Sequence, residues 1–340
     1  MKAAVWYGEK DLRVEERKLK DLKPEDVKVK VAWAGICGSD LHAYLHPDAV
    51  PIDRERTLGH EFSGIIEEVG SEVKDLKPGD RVCIYPMLFN EPDNAMTERF
   101  ITLDAVGAQM DGGFAEYAVM PKKAVFKIPD NLPLDLAAMV EPAAVSYQGV
   151  EDAGVKTGDD VVVYGVGPIG LFAIAAAKAK GAKRVIAVDI NAARLKIARE
   201  MGADEIINSS EVDPVQLIHT MIPDGADVTI EAAGVESAFK QAAHSTKIRG
   251  VMMIVSFYTN TLDISIPESI LFTGIQVMGS VGYTKETYDN VIDALASRQL
   301  AAEPMMTHRT TLEHITEDGI ELLLNDPTQA KVLISISGIK

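Results

Sequence analysis

Cysteine, histidine and carboxylate side chains occur at three places in the first half of the chain, in local settings that suit a metal site. Cys37 begins the segment CGSDLH, His60 and Glu61 are adjacent within GHEFSG, and Glu141 stands beside a proline. Zinc takes these ligand types, and a catalytic zinc site leaves one position open for water or substrate. Each residue also has an ordinary interpretation, as a small buried cysteine, a surface turn or a helix cap. The residues by themselves leave both interpretations open.

A second group of residues with chemical potential is the segment GVGPIG at 165–170. It follows an apolar run, opens an alanine-rich segment and is followed about 20 residues later by an aspartate, as in dinucleotide-binding folds. Its glycines allow a tight turn, close approach of the main chain to a pyrophosphate, and close packing of helix on strand. The alternative is that the glycines serve packing alone. The candidate cofactor-binding residues are Gly165, Gly167, Pro168, Ile169, Gly170, Asp189 and Arg194.

Asp189 favours NAD over NADP as the cofactor. A carboxylate at the end of the second strand accepts hydrogen bonds from the adenosine ribose hydroxyls, and its charge repels a 2′-phosphate. Arg194 is a nearby base that would suit the phosphate if position 189 were neutral.

The order of these motifs resembles that of the zinc-dependent medium-chain alcohol and polyol dehydrogenases over essentially the whole chain. The matching segments are GICGSDLH (35–42), GHEFSG (59–64), LKPGD (76–80), GGFAEY (112–117), EPAAV (141–145) and GVGPIG (165–170). Within that family the chain is most similar to the 2,3-butanediol (acetoin) dehydrogenases, on GHEFSG and the ending QAKVLISI (329–336), and next to the sorbitol dehydrogenases.

The resemblance implies a role for each metal-ligand candidate and for two neighbours. Cys37, His60 and Glu61 match the catalytic zinc ligands, and Glu141 matches a second carboxylate that binds the metal or its water. Two further residues match the family's proton relay, which makes the expected catalytic residues Ser39, His42 and Glu61.

The activity that this resemblance implies is zinc-dependent hydride transfer between NAD and a small neutral alcohol or ketone. Zinc lowers the pKa of a bound hydroxyl group by several units, and the nicotinamide carries the hydride. One thiolate with one or two carboxylates leaves zinc neutral or slightly anionic, which favours a neutral diol, hydroxyketone or polyol over a carboxylate substrate. The resemblance implies that the substrate is a vicinal diol or hydroxyketone, 2,3-butanediol or acetoin. The alternatives are a sorbitol, polyol or threonine dehydrogenase, a related zinc-free reductase, and a non-catalytic nucleotide-binding protein.

Two segments depart from the family pattern. Many members carry four closely spaced cysteines that bind a structural zinc, whereas residues 84–113 contain no cysteine here. We therefore expect one catalytic zinc and no structural zinc. The segment between CGSD and GHEFSG, which borders the substrate cleft in the family, is short here, at residues 43–58.

Two patterns of secondary structure must position these residues. Up to about residue 130, short alternating runs such as VKVKVAW predict an antiparallel barrel or sandwich. After about residue 145, strands and helices alternate, which predicts βαβ units and a doubly wound parallel sheet. The expected fold class is therefore α/β: a Rossmann sheet domain plus a β-rich catalytic domain, which the resemblance identifies as GroES-like. We expect a catalytic domain at 1–146, an NAD-binding domain at 147–284, and a segment at 285–340 that returns to the catalytic domain.

The individual elements follow from the same patterns. The predicted strands cover 27–33, 65–69, 81–84, 117–120, 125–128, 161–164, 184–188, 205–207, 227–230, 250–255, 275–279 and 331–335. The predicted helices cover 168–180, 192–201, 285–297 and 312–324.

Composition limits the partners. The formal net charge of −17 disfavours nucleic acid and anionic membranes, because both are negatively charged. The chain has only two cysteines, and its N-terminus becomes acidic before any apolar run is long enough for a signal peptide, which predicts a cytoplasmic protein. An apolar stretch at 270–283 contains a plausible edge strand, so we expect a homo-oligomer, either a dimer or a tetramer.

Overall fold

A computed structural model describes residues 1–48, 52–89 and 103–339. Parts of the two departing segments, residues 49–51 and 90–102, lie outside the described residues. The contacts divide the chain into two compact units, Met1–Glu141 with Met306–Lys340, and Pro142–Met305. The domain boundaries expected from the sequence, 1–146, 147–284 and 285–340, stay a prediction.

Strands and helices have the following bounds. The strands are β1 (Lys2–Gly8), β2 (Asp11–Glu16), β3 (Asp26–Gly35), β4 (Arg56–Thr57), β5 (Glu61–Val69), β6 (Arg81–Ile84), β7 (Met87–Phe89), β8 (Leu103–Ala105), β9 (Tyr117–Pro121), β10 (Val125–Lys127), β11 (Asp160–Tyr164), β12 (Arg184–Asp189), β13 (Glu205–Asn208), β14 (Ala226–Glu231), β15 (Thr246–Ile254), β16 (Gln276–Gly279), β17 (Met306–Thr311) and β18 (Lys331–Ser335). The α-helices are α1 (Gly38–Leu45), α2 (Leu134–Ala137), α3 (Val140–Asp152), α4 (Pro168–Ala179), α5 (Ala192–Glu200), α6 (Pro214–Met221), α7 (Glu236–Ser245), α8 (Lys285–Ala296) and α9 (Leu322–Asn325).

The first unit contains a large, mostly antiparallel sheet with the strand order β10-β6-β5-β3-β18-β17, and β9 also pairs with β3. The alternation in VKVKVAW is the reason for the central position of β3, because its valines point into the core and are fully buried. The KPGD segment makes the turn between β5 and β6, where Gly79 has a φ of +91° and Asp80 accepts a hydrogen bond from the main-chain N–H of Lys77. The predicted β-rich first half is confirmed.

The register of this sheet brings three distant segments to one end of it. Gly35, at the end of β3, lies opposite Glu61, at the start of β5. Leu333 in β18 also pairs with Gly35, so the first residue of β18, Lys331, lies nearby. The three strand ends that meet here carry the residues around the predicted metal site.

The second unit is a parallel sheet with the strand order β13-β12-β11-β14-β15-β16. The order reverses between β11 and β14, and in such sheets ligands bind in the crevice outside the carboxyl ends of the strands at the reversal. The predicted doubly wound sheet is therefore confirmed.

Helix α4, which begins at Pro168 within the glycine-rich segment, is the alanine-rich stretch of the sequence. It is buried from Gly170 to Ala177, but its twelve residues are too few to cross a membrane. Within the described ranges, no helix combines the length and apolar character needed to cross a membrane.

The sequence prediction omitted strands β1, β2, β4, β7, β8 and β17 and helices α1, α2, α3, α6 and α7, and it differs from the structure in one further stretch. The stretch expected to be helical at 312–324 is helical, but it is not one regular α-helix: a 3₁₀ turn at Leu312–His314, a π-helical turn at Thr316–Glu321 and α9 follow one another. Gly319 lies within it, and glycine is a weak helix former. Strand β17 was not predicted, because its sequence MTHRTT lacks apolar alternation. Helix α1 was also not predicted, since its eight residues are too short for a clear helical period.

Candidate zinc and dinucleotide sites

Cys37, His60 and Glu61 form a cluster in the first unit. One ligand atom from each residue lies within 4.8 Å of the others, and Glu61 is buried while the other two are partly exposed. A thiolate, an imidazole and a carboxylate are donors that zinc accepts at distances of about 2.0–2.3 Å. Atoms at this separation can share one ion after small side-chain movements, so the residues present fit a zinc ion.

The position of Cys37 is set by the helix that follows it. Cys37 is the N-cap residue of α1, and its main-chain N–H donates a hydrogen bond of 2.9 Å to Oδ2 of Asp40. The amino end of a helix favours negative charge nearby, which suits a thiolate ligand. The segment CGSD thus follows β3, starts α1 and places the sulfur at the cluster.

The charges around His60 act strongly on its imidazole. Burial lowers the pKa of His60, but the negative charge of Cys37, the hydrogen bond between the two side chains, and the charges of Asp40 and Glu141 together raise it well above its usual value. Glu141 is buried and lies outside the three-residue cluster, yet its charge acts on His60. A ligating imidazole must be neutral, so metal binding would release a proton from this residue.

Lys331 is a residue of the site that the sequence analysis missed. Its Nζ lies 2.6 Å from Oε2 and 2.8 Å from Oε1 of Glu61, and it also donates to the carbonyl oxygen of Ile36 at 3.0 Å. The side chains of Lys331 and Glu61 are 1% and 0% exposed, so this ion pair is excluded from water. Burial lowers the pKa of Lys331, whereas the charges of Glu61 and Cys37 raise it, and the net shift is upward. The signal in the sequence that could have identified it is a lysine at the start of the mostly apolar strand KVLIS.

Gly35 is a second residue that the sequence analysis did not single out. A Cβ atom on Gly35 would lie 2.2 Å from Oε2 of Glu61, which is closer than real Cβ atoms come to other heavy atoms. The Glu61 carboxylate therefore occupies space that only a glycine leaves open.

The two predicted relay residues lie on α1, directly after Cys37. Ser39 is exposed in the first turn, and His42 is partly exposed three residues later, so both occupy one side of the helix. The His42 ring lies 5.1 Å from that of His46. In the described part of the chain, neither relay side chain has a hydrogen bond to the metal cluster, and their role stays a prediction.

In the second unit, the predicted dinucleotide-binding residues lie at the carboxyl ends of β11 and β12. Gly165 has a φ of +86°, and a Cβ atom on Gly170 would lie 1.8 Å from the carbonyl oxygen of Gly165, so the turn requires both glycines. Pro168 begins α4, where its missing N–H is not needed.

Asp189 connects the two strand ends. Its Oδ2 accepts a hydrogen bond of 2.7 Å from the main-chain N–H of Val166, and its Oδ1 accepts one of 2.8 Å from Asn191. Asp189 therefore holds the glycine-rich turn, and its contact with ribose stays a prediction. Arg194 lies in the first turn of α5, and its Nε is buried without a hydrogen-bond partner among the described residues.

The sequence and the structure of the chain are similar to those of known proteins. Residues 168–297 match the family described as zinc-binding dehydrogenase, and residues 23–130 match the alcohol dehydrogenase GroES-like domain. The chain is 36% identical to the (R,R)-butanediol dehydrogenase of Bacillus subtilis strain 168 over 347 residues, covering 98% of this chain and 99% of that protein. It is 34% identical to the sorbitol dehydrogenase of the same organism over 337 residues, covering 95% and 94%. The crystal structure of the 2R,3R-butanediol dehydrogenase from Bacillus subtilis matches with a TM-score of 0.92 at 35% identity, covering 98% of this chain and 99% of that one. The chain therefore belongs to the zinc-binding alcohol dehydrogenase family, as its motifs predicted.

Proposed function

We propose that this dehydrogenase transfers hydride between NAD and a vicinal diol or hydroxyketone, with 2,3-butanediol and acetoin as the pair of substrates. The observation that carries the chemistry is the cluster of Cys37, His60 and Glu61. The substrate class is supported by the likeness to butanediol dehydrogenases over 98% of the chain.

When bound, zinc would supply a Lewis acid that favours the ionised form of a substrate hydroxyl at neutral pH. Cys37 and His60 would hold the ion, and Glu61 would either bind it or face it while the buried Lys331 donates to both oxygens of the carboxylate. Glu141 would bind the ion or its water. Ser39 would accept the hydroxyl proton, and His42 would pass that proton to solvent, because imidazole exchanges protons readily near neutral pH.

The charge of the site supports a neutral substrate. Cys37, Glu61 and Glu141 would bring three negative charges to the neighbourhood of the ion, while Lys331 neutralises one of them. A carboxylate substrate would add a further negative charge, whereas a diol or hydroxyketone adds none. This argument fits a polyol equally well, and the 34% identity to a sorbitol dehydrogenase favours sorbitol as the second candidate substrate.

NAD is the proposed cofactor because Asp189 lies at the end of β12, at the edge of the sheet where the adenosine ribose binds in this fold. A 2′-phosphate would meet the negative charge of its carboxylate there. We also propose a cytoplasmic location, since the chain contains only two cysteines and neither forms a disulfide.

A substrate panel tests the activity and the substrate together. Protein purified without chelators should contain about one zinc per chain by elemental analysis. It should oxidise a butanediol stereoisomer with NAD at a higher kcat/KM than sorbitol, xylitol or threonine, and reduce acetoin with NADH. Cys37→Ser should abolish turnover without unfolding the chain. Two tightly held zincs would contradict the single-site proposal, and a preference for sorbitol would replace the substrate assignment.

We further propose that a second copy of the chain pairs with strand β16. This strand is last in the order of the parallel sheet, and it contains no lysine or proline to discourage edge pairing. Large apolar side chains near it are exposed, including Leu271 at 68% and Phe272 at 75%. Light scattering should give the mass of an oligomer, and Phe272→Asp combined with Met278→Lys should reduce it. A monomeric unaltered protein would contradict this proposal.

A further inference from the structure

Glu231 is a buried carboxylate at the end of the central strand β14. The ion pairs found among the described residues do not include it; hydrogen bonds balance its charge instead. Its Oε1 accepts bonds of 2.8 and 2.9 Å from the main-chain N–H groups of Ala233 and Gly234. Its Oε2 accepts bonds from the Ser256 hydroxyl and, at 2.5 Å, from the Tyr258 hydroxyl. A buried charge persists only with such partners.

The loops that Glu231 joins lie at the reversal point of the parallel sheet. Glu231 pairs in register with Tyr164, the residue before Gly165. A Cβ atom on Gly165 would lie 2.6 Å from the main-chain nitrogen of Ala233, so the loop after β14 packs directly on the glycine-rich turn. A Cβ atom on Gly234 would lie 2.6 Å from the carbonyl oxygen of Phe257. One carboxylate thus ties the loop after β14 to the loop after β15.

The position of these two loops in a doubly wound sheet indicates which part of a dinucleotide they face. Such a sheet has two mononucleotide-binding halves, and the dinucleotide crosses between them at the reversal point. The strands β11–β13 carry the glycine-rich turn and Asp189, which suit the adenosine half of the cofactor. The loop that Glu231 holds belongs to the first strand of the other half, so it faces the remaining part of the dinucleotide.

We propose that Glu231, together with Ser256 and Tyr258, positions the loop at 232–234 to bind the nicotinamide half of the cofactor. The inference rests on the proposed NAD-dependent function. Ala232, Ala233 and Gly234 have little side chain with which to fix their own conformation. The two main-chain hydrogen bonds to Glu231 do this instead, and the hydroxyls of Ser256 and Tyr258 hold the carboxylate in place.

Comparing the binding of the whole cofactor with the binding of its adenosine half tests the proposal. Calorimetric titrations would use NADH and AMP, which is the adenosine half alone. Tyr258→Phe removes one hydrogen bond from the carboxylate, and Glu231→Gln removes its charge. For both variants we expect NADH to bind about tenfold more weakly while the AMP affinity changes less than about twofold. If Glu231→Gln does not fold, Tyr258→Phe alone decides the test.

Tyr164→Phe is the matched control. It also removes a buried tyrosine hydroxyl in this unit, one that lies 2.5 Å from Oγ of Ser245 at the end of α7, which belongs to neither loop. It should lower the unfolding temperature but leave the ratio of the NADH and AMP affinities unchanged. Unchanged NADH binding in Tyr258→Phe, an equal loss for AMP, or the same selective loss in Tyr164→Phe would overturn the inference. Failure of the unaltered protein to bind NADH would instead overturn the proposed function.

Discussion

Lys331 Nζ lies 2.6 Å from Oε2 of Glu61, although 270 residues separate the two in the chain. The pair is buried beside Cys37 and His60, so the lysine supplies positive charge to a cluster that is otherwise rich in negative charge. A buried carboxylate that loses its partner is strongly destabilising. Lys331 therefore holds the Glu61 carboxylate in place beside the predicted metal site.

Replacing Lys331 tests this relationship. Lys331→Met should lower the free energy of unfolding of the zinc-free protein by about 3 kcal/mol, because Glu61 is left buried and unpaired. Zinc should restore most of the loss, since the ion brings a new positive charge to the carboxylate. Urea unfolding with zinc and with chelator measures both the loss of stability and its recovery. Lys331→Arg should behave nearly as the unaltered protein does. Equal stabilisation by zinc in Lys331→Met and in the unaltered protein would contradict the role of the pair.

Gly35 should be essential for zinc binding. In Gly35→Ala the new methyl group would displace the Glu61 carboxylate, which a Cβ atom would approach to 2.2 Å. We expect zinc affinity to fall about 10- to 100-fold, as for other residues that orient ligands. Gly38→Ala is the control, because a Cβ atom there meets no atom within 4 Å. Competition with a zinc chelator measures both affinities, and similar values for the two variants would show that Glu61 can move without consequence.

Asp189 should affect cofactor affinity as well as cofactor choice. Asp189→Ala removes the charge that repels a 2′-phosphate, but it also leaves the Val166 N–H without its acceptor. We therefore expect kcat/KM to fall for NAD and to rise for NADP. Arg194→Ala in the same chain should cancel the gain for NADP, because the arginine is the nearest candidate for the phosphate. If the unaltered enzyme uses both cofactors equally, the carboxylate does not face the ribose.

Asp80 should make the free energy of unfolding depend on pH under acidic conditions. Burial raises the pKa of Asp80, but hydrogen bonds from Lys127 and the main-chain N–H of Lys77, with the lysine charges, lower it overall. Because the folded pKa lies below the unfolded value of about 3.9, the contribution is complete above that pH and disappears as the pH falls through the lower folded pKa. Asp80→Asn should lower the free energy of unfolding by about 1 kcal/mol at pH 7, and the difference should shrink below about pH 4.

The exposed pair of Asp75 and Lys122 is the control for Asp80. Its atoms lie 2.7 Å apart, but both side chains are largely in water. Asp75→Asn should therefore change the unfolding curve little at any pH. Urea unfolding of chelator-treated protein at pH 7, 5 and 3.5 measures both variants. A pH-independent effect of Asp80→Asn would mean that its side-chain charge does not contribute.

The sequence predicted the elements and motifs better than their pairing. The alternation in β3 and the apolar run of β11 identify strands locally, because burial imposes a period on each strand. The pairing of Gly35 with Glu61 depends on a register between distant segments, which no local pattern encodes. Lys331 and Glu231 were missed for the same reason. Each is a charged residue at one end of an apolar strand, and only the folded chain shows what it contacts.

Ser39 should be required for transfer of the substrate's hydroxyl proton. It is exposed on the first turn of α1, two residues after Cys37. If Ser39 accepts the alcohol proton, Ser39→Ala should lower kcat by at least about 100-fold, while zinc content and NADH affinity stay unchanged. His42→Ala should have a smaller effect that concentrated buffer reduces, because solvent can replace an outer relay member. His46→Ala, one turn further along the chain, is its control and should retain full activity. The deuterium isotope effect on the alcohol carbon must show that hydride transfer limits the rate. Loss of an acid–base group typically lowers kcat about 100- to 10,000-fold. If kcat of Ser39→Ala instead stays above about a third of the original, the proton leaves through Glu61 or Glu141.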